Sequence, residues 1–291
     1  FRHPGAGVTR TNELAFTKQA FLAAVERIAP ARKNRPGVNA ILPFLEQYQA
    51  DAFIDDFFAL TTDDAATLAL DLWEFNRDNQ DTPERRIRVR PAIGHNGRKL
   101  RLDVAEIVGA DLAFLVDSAI ATCQDAKVEI RAVLHPIIPG PNGLRSVIQI
   151  HLPQLDDGLR AALQKRLEDT FSDVAVVNAD HEAMRAKMRE AADSLTSLKL
   201  TGERTSDEVQ EAREFLAWLA QENFTFLGAR DYTFAMGARG ELANEEPIVD
   251  EASGLGILRD FSRNVLSRAS EPTVQIGRAH AELQSLSSIS Y

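Results

Sequence analysis

The first 80 residues carry apolar side chains at steps of three and four, the spacing that lines one face of an α-helix. Two such series, separated by Pro36-Gly37, consist of Leu14, Phe21, Val25 and Ile28, and of Ala65, Leu68, Leu72 and Phe75. Thr61 is the expected cap of the second helix, because its hydroxyl can accept a free backbone N–H. The aromatic-rich stretch 42–58 is expected to pack between helices. We therefore predict an N-terminal helical segment over residues 1–80.

From Arg86 onward, apolar and polar positions alternate, which is the period of a strand with one buried face. Two alternating runs, 86–90 and 99–104, flank His95-Asn96-Gly97, and Asn-Gly favours a hairpin turn because both positions adopt positive φ. Seven basic and no acidic residues lie between Arg85 and Arg101. They form either a nucleic-acid or anion surface, or a strand face that meets acidic helices. We favour the second interpretation, because neither strand offers aromatic residues for base stacking.

The clearest fold signal lies between residues 102 and 171. Strands are predicted over 102–108, 128–134 and 144–152, and helices over 112–123 and 155–171. The stretch 137–143, rich in proline and glycine, is expected to be a loop, and Gly109-Ala110-Asp111 a turn that ends in a helix cap. This βαββα order begins a ferredoxin-like sandwich, so the predicted fold class is α+β. A closing strand at 174–177 is short, and the helical pattern resumes directly after it.

Composition shifts divide the chain further. The polar stretch 193–207 is the predicted boundary of a first α+β domain over residues 85–200. A second unit begins at the capping box Thr205-Ser206-Asp207-Glu208, continues as a helix and starts a strand at 224–228. Because the βα pattern begins again there, we expect residues 205–266 to be the start of a second, truncated unit.

Charge and cysteine content narrow the class of protein. The 33 basic and 43 acidic residues give a formal net charge of −10, and 44% of the residues are hydrophobic, as in ordinary globular proteins. A single cysteine, Cys123, excludes a disulfide framework and fits a reducing compartment. No apolar run approaches the roughly 20 residues that span a bilayer. We expect a cytoplasmic protein without a membrane partner and, since the sequence starts at Phe1, a piece of a longer one.

A search for catalytic motifs finds no phosphate-binding loop, nucleophile elbow or zinc-binding helix signature. Gly254-Leu255-Gly256 is only part of a dinucleotide fingerprint, because Arg259 stands where a third glycine is needed. His135 and His151 suggest a metal pair, but a hairpin loop over 136–143 would separate them by about 23 Å. We therefore predict no catalytic, cofactor-binding or metal-binding residue in this chain.

Four strings together resemble one family. They are "VAEIVGADLAFLVDSAIA" (104–121), "VLHPII" (133–138), "FLAWLAQENFTFLGARDYTF" (215–234) and "SGLGILRD" (253–260), and in order and spacing they resemble the N-terminal region of the large bacterial NAD-specific glutamate dehydrogenases. The resemblance covers most of residues 10–266. It implies ACT-like regulatory domains over 85–200 and 205–266, with the catalytic domain elsewhere in a longer polypeptide.

The resemblance also implies a function. The complete enzyme would oxidise L-glutamate to 2-oxoglutarate with NAD, while this part would bind no cofactor and catalyse nothing. The implied partners are the rest of its own polypeptide, further copies in a homo-oligomer and an amino-acid effector. ACT-like domains hold small ligands near the turn after the first strand, which makes Gly109, Ala110 and Asp111 the candidate regulatory residues. Asp111 capping its own helix is the simpler alternative, since a carboxylate there repels an anion.

Two other functions are kept as alternatives. A stand-alone ACT-type amino-acid sensor would share the fold, and a nucleic-acid-binding module would use Arg86, Arg88, Arg90 and Arg101. The net charge of −10 disfavours the second.

The last residues, 273–291, receive no predicted fold. Ile276 to His280 is what the bases ATCGGAAGAGCACAC encode, and this string resembles a common sequencing adapter. We therefore expect a non-native or disordered tail, with a natural serine-rich terminus as the alternative.

Overall fold

The computed structural model describes residues 18–32, 38–50, 60–82, 84–197, 206–233 and 248–263. The break at Pro36-Gly37, residues 51–58 of the aromatic-rich stretch, Thr205 and the tail 273–291 lie outside these ranges. The chain divides into two compact units, residues 1–168 and 169–291. This division falls inside one long helix rather than in the polar stretch 193–207. The predicted domain roles of these regions stay predictions.

Three helices open the first unit: α1 (Lys18–Ile28), α2 (Val38–Ala50) and α3 (Thr62–Asp78). The cap of α3 is as predicted, because the Thr61 side chain accepts a hydrogen bond from the Asp64 N–H at 3.3 Å. The helices share one core with the sheet, and its largest fully buried side chains include Phe21, Ile41, Leu45, Tyr48 and Leu72. Helical periodicity thus located α1 and α3 correctly.

The first unit has an antiparallel sheet of five strands. They are β1 (Arg86–Ile93), β2 (Lys99–Ala110), β3 (Ala132–Leu134), β4 (Ile137–Gly140) and β5 (Gly143–Pro153). The order is β1-β2-β5-β3, and β4 also pairs with β5. Asn96 and Gly97 adopt positive φ, 55° and 75°, between β1 and β2. The Asn-Gly hairpin prediction is confirmed.

Helices α4 (Leu115–Asp125) and α5 (Asp157–Ser194) complete the α+β class, which is confirmed. In a βαββαβ sandwich the closing strand lies beside the first strand, on the side away from the third. Here β1 occupies that place, because it pairs with the edge of β2 that β5 leaves open. Residues 174–177 belong to α5 instead, since buried side chains continue at helical steps through Phe171, Val174 and Val177.

The predicted elements around β3 and β4 also differ from the structure. Residues 137–143 are not one loop, because β4 pairs with β5 from Ile137 opposite Ser146 to Gly140 opposite Gly143. Pro139 is tolerated there because an edge strand does not need every N–H for pairing. The strand predicted over 128–134 is confined to β3.

The second unit contains the rest of α5, helix α6 (Ser206–Trp218), a π-helical turn over 219–223 and a hairpin of β6 (Gly228–Thr233) and β7 (Ile248–Gly256). Its core is built on Val177 and Met184 of α5, which pack with Leu219 and Phe226. Among the residues that the structure describes, no helix combines the length and apolar character needed to cross a membrane.

Candidate functional site

A row of polar side chains crosses one face of the sheet in the first unit. Arg88 of β1 lies opposite Glu106 of β2, which lies opposite Gln149 of β5. Residues at directly opposite positions on neighbouring strands project to the same face. This face also carries Val108 and Val147, which belong to the core shared with the N-terminal helices. Glu106 and Gln149 are fully buried.

Glu106 is the centre of this row. Its carboxylate accepts hydrogen bonds from Arg88 Nε at 2.5 Å, from Arg90 Nε and Nη2 at 2.9 and 3.0 Å, and from Gln149 Nε2 at 2.9 Å. The Gln149 side-chain oxygen accepts the Tyr48 hydroxyl at 2.7 Å. The buried carboxylate is therefore saturated with donors, as a buried charge must be to persist.

Helix α3 contributes two further carboxylates, Asp71 and Glu74, to this group of charges. Arg90 Nη2 donates to Asp71 Oδ2 at 3.0 Å, Arg32 contacts the same carboxylate, and Arg32 also donates to both oxygens of Glu74 at 3.2 and 3.0 Å. Three guanidinium groups thus meet three carboxylates. Arg88 and Arg90, the central basic residues of the hairpin, face acidic partners, in agreement with the favoured interpretation of that basic stretch.

The electrostatics of the network follow from this pairing. Burial alone would lower the pKa of Arg90, but the charges and hydrogen bonds of Glu106 and Asp71 outweigh it, so its pKa is raised. The pKa of Arg32 is raised for the same reason: the hydrogen bonds and charges of Asp71 and Glu74 outweigh the burial that lowers it. Burial and the charge of Glu106 also raise the pKa of the Tyr48 hydroxyl well above its usual value. Arg32 and Arg90 therefore stay protonated, and the Tyr48 hydroxyl stays neutral, across the physiological pH range.

Beside this network lies an open pocket of about 360 Å³ between α3 and β1. Its lining combines both signs of charge with one aromatic ring and comprises Asp71, Glu74, Phe75, Asp78, Asn79, Arg88 and Arg90.

His151 joins the network from β5, with Nε2 3.1 Å from the Gln149 side-chain oxygen. Burial lowers the pKa of His151 to about 4, and the charge of Glu106 only partly opposes this. In the unfolded chain the same group titrates near 6.5. The unfolded state therefore binds the proton first, and stability falls as the pH drops from about 6.5 to 4.

We expect His151→Gln to reduce this acid sensitivity of the first unit. The measurement is chemical denaturation of the full chain at several pH values between 7 and 4. His181→Gln is the matched control, because the His181 side chain is 39% exposed. Equal pH slopes for wild type and His151→Gln would contradict the assignment.

The candidate regulatory residues Gly109, Ala110 and Asp111 do not form the expected turn and cap. Gly109 and Ala110 are the last residues of β2, and the Asp111 N–H donates to the Leu144 carbonyl at 2.9 Å. Helix α4 begins only at Leu115, after Phe114 at φ 68°. The free helix-start donors on which the ligand hypothesis depended are therefore not at this position. A ligand role for these three residues stays a prediction.

Gly109 has a steric role that its expected turn would not have indicated. A Cβ on this residue would lie 3.2 Å from the Cα, Cβ and Cγ atoms of Arg85. Arg85 Nη2 donates to the Ala110 carbonyl at 2.5 Å, and burial lowers the Arg85 pKa to about 10 although Asp111 opposes that shift. The absence of a side chain at Gly109 thus allows the guanidinium to lie against the end of β2.

The two histidines considered as a metal pair are separated for a different reason than predicted. His135 Nε2 is 2.6 Å from Ser146 Oγ, whereas His151 belongs to the network around Gln149. Ser146 and His151 are five positions apart on β5, so their side chains project to opposite faces. The expected separation along the strands was wrong, because β4 is paired rather than looped.

In the second unit, Gly254-Leu255-Gly256 does not fit a dinucleotide. Gly256 donates its N–H to Asp180 Oδ2 at 2.7 Å, so a buried carboxylate already occupies the position that a pyrophosphate would need. The same carboxylate accepts two hydrogen bonds from Arg259, both at 2.6 Å, which together with that backbone bond lower the pKa of Asp180. Only a three-residue 3₁₀ turn, Ile257–Arg259, follows the motif. A pyrophosphate site requires a helix N-terminus there.

Sequence reasoning missed Asp71, Glu106, Gln149 and Asp180. The available signal was a pair of acidic residues, Asp103 and Glu106, inside the apolar strand 102–108 and next to a basic hairpin strand. Asp71 and Asp180 lie on helices, where a polar residue has no distinctive spacing.

Comparison with known proteins gives the class of this fold. Residues 44–140 match the family model of the glutamate dehydrogenase ACT1 domain. The match begins in α2 and ends in β4, so it includes the charged row from α3 to β2. The first unit therefore contains an ACT domain of the glutamate dehydrogenase type.

Curated relatives agree with this match. The chain is 30% identical over 237 residues to the NAD-specific glutamate dehydrogenase of Pseudomonas aeruginosa, an alignment that covers 74% of this chain and 14% of that protein. It is 23% identical over 210 residues to the enzyme of the same name from Halomonas elongata, with coverage of 65% and 13%. The resemblance carried by the four strings is confirmed: the chain is similar to the NAD-specific glutamate dehydrogenases and corresponds to an N-terminal region of that family. It spans about one seventh of the length of these relatives.

Proposed function

We propose that this chain is the N-terminal regulatory and assembly part of an NAD-dependent glutamate dehydrogenase. The complete enzyme would oxidise L-glutamate with NAD to 2-oxoglutarate and ammonia in the cytoplasm. The carrying observation is the ACT1 match over residues 44–140 within a chain that aligns with only 14% of its Pseudomonas relative. An ACT domain acts by binding and packing rather than by chemistry, which supports a regulatory contribution.

The geometry supports a part without catalytic residues of its own. Four acidic side chains are buried in the part of the chain that the structure describes, and each is paired with at least one arginine; they are Asp64, Asp103, Glu106 and Asp180. A general base must instead be free to accept a proton from a substrate. The partners we propose are the remainder of the same polypeptide, further copies of it in a homo-oligomer and a small amino-acid effector. NAD would bind the complete enzyme and not this chain.

The purified chain should show no glutamate-dependent reduction of NAD. The assay follows NADH absorbance with L-glutamate and NAD at saturating concentrations. Activity that copurifies with a single species of the chain would overturn the proposed division of labour.

A thermal-shift screen of the chain against amino acids, 2-oxoglutarate and NAD tests the regulatory part, because a ligand that prefers the folded state raises its stability. A shift with an amino acid supports ligand sensing. If Asp111→Asn abolishes that shift, the ligand lies at the end of β2. No shift with any compound would reduce the proposed role to assembly.

A further inference from the structure

The open pocket between α3 and β1 has an unusual lining. It includes two arginines, three carboxylates and the Phe75 ring, over which the Arg88 guanidinium lies. Its volume of about 360 Å³ is near the lower end for small-molecule sites. A ligand of one sign would be repelled by the lining groups of the same sign, so the lining favours a small molecule that carries both charges.

Arg88 is one of the two arginines in the lining, and its contacts hold its guanidinium in a fixed orientation. Its guanidinium lies 4.0 Å from the centre of the Phe75 ring, Nε donates to Glu106, and Nη2 donates to the Asp71 carbonyl at 3.3 Å. Among the described residues, none accepts a hydrogen bond from Nη1. An arginine that is held at three sides and keeps one donor is preorganised to bind a carboxylate.

Asp78 and Glu74 are two of the three carboxylates in the lining. The Asp78 side chain is 54% exposed, and its one ion pair within the described part of the chain is a 3.9 Å contact with its neighbour Arg77. Glu74 is 19% exposed and is held by Arg32. Both lie on the last turns of α3, four residues apart, and therefore on the same side of the helix.

We propose that this pocket binds a small α-amino acid as its zwitterion, with the carboxylate on Arg88 and the ammonium group at Asp78 and Glu74. This inference deepens the proposed regulatory function and rests on it. Arg88 also holds Glu106, which links β1, β2 and β5 through Arg90 and Gln149. A ligand carboxylate on Arg88 is therefore connected through hydrogen bonds to the polar row that crosses β1, β2 and β5.

The test is isothermal titration of the full chain with each of the twenty standard L-amino acids. Every amino acid that binds is then compared with its decarboxylated amine and its deaminated acid. Because the pocket needs both charges, we expect each analogue to bind at least tenfold more weakly. An amine or acid that binds as tightly as the amino acid would overturn the proposal.

Two variants and a control locate the binding. Arg88→Gln and Asp78→Asn should each weaken the amino acid at least tenfold. Arg86→Gln should leave it unchanged, since Arg86 lies on the same strand but pairs with exposed Glu84. Asp78→Asn keeps the test valid if Arg88→Gln disturbs folding, because Asp78 is a surface residue.

Other outcomes separate this inference from the proposed function. Binding that neither variant weakens would place the effector elsewhere, and Asp111→Asn would then test the end of β2. If none of the twenty amino acids binds, the proposal that this pocket is an amino-acid site is overturned. Neither result affects the NADH assay, which judges the non-catalytic role independently.

Discussion

Glu106→Ala is expected to destabilise the first unit by about 3 kcal/mol or more, the range seen when one member of a buried ion pair is removed. The reason is that Arg88 and Arg90 would keep their charges while losing the carboxylate that accepts three of their hydrogen bonds. Gln149 would also lose an acceptor at a fully buried position. Unpaired buried donors cost more free energy than a satisfied bond contributes.

Hydrogen exchange with mass spectrometry is the appropriate measurement, because a chain of two units need not unfold in one transition. Faster exchange in β1, β2 and β5 is the expected result. The control is Glu84→Ala. The Glu84 side chain is 76% exposed, and its carboxylate lies 3.6 Å from Arg86 Nη2. An exposed pair of this kind contributes about 1 kcal/mol or less. Equal protection in both variants would show that Glu106 does not organise the sheet.

Much of this sheet could be predicted because its signals are local. Alternation located β1 and β2, Asn96-Gly97 located their turn, and the βαββα order indicated the α+β class. The closing strand could not be predicted in this way. Residues 174–177 and β1 are both suitable by composition, and the choice depends on pairing with β2 and on the continuation of α5.

The charged network illustrates the same limit. The basic row of the hairpin was visible in the sequence, and its preferred interpretation already involved acidic helices. The identity of the partners depends on register, which places Glu106 opposite Arg88, and on the packing of α3, which brings Asp71 to Arg90. Neither the strand register nor the packing of α3 produces a residue spacing that can be recognised in a single sequence.

The predicted turn at Gly109 failed for a comparable reason. Glycine is typical of turns, and aspartate two residues later is typical of a helix cap. Pairing of β2 with β5 extends to Ala110 opposite Arg145, and the Asp111 N–H continues it. Sheet pairing therefore outweighed the local preference and delayed the helix to Leu115.

Gly256→Ala is expected to destabilise the second unit strongly, although it adds only one methyl group. Gly256 has φ 58° and ψ −141°, a conformation in which side chains other than hydrogen are strained. A Cβ there would overlap the Leu227 carbonyl oxygen, which is a backbone atom and accepts the Ile257 N–H at 2.9 Å. We expect a loss of about 3 kcal/mol or more, from backbone strain together with the broken hydrogen bond.

The damage should extend to Asp180, because the displaced Gly256 N–H is one of the donors that satisfy its buried carboxylate. Hydrogen exchange in α6, β6 and β7 measures the effect. Gly158→Ala is the control, since Gly158 lies in the first turn of α5 and a new Cβ there would lie 3.2 Å from a single side-chain atom, the Asp156 Oδ1 that accepts the Leu159 N–H, and from no backbone atom outside its own helix. That change should alter the free energy of unfolding by about 1 kcal/mol or less. If Gly256→Ala were tolerated equally well, the glycine in "SGLGILRD" would not be required by the backbone, and a ligand role for this segment would have to be reconsidered.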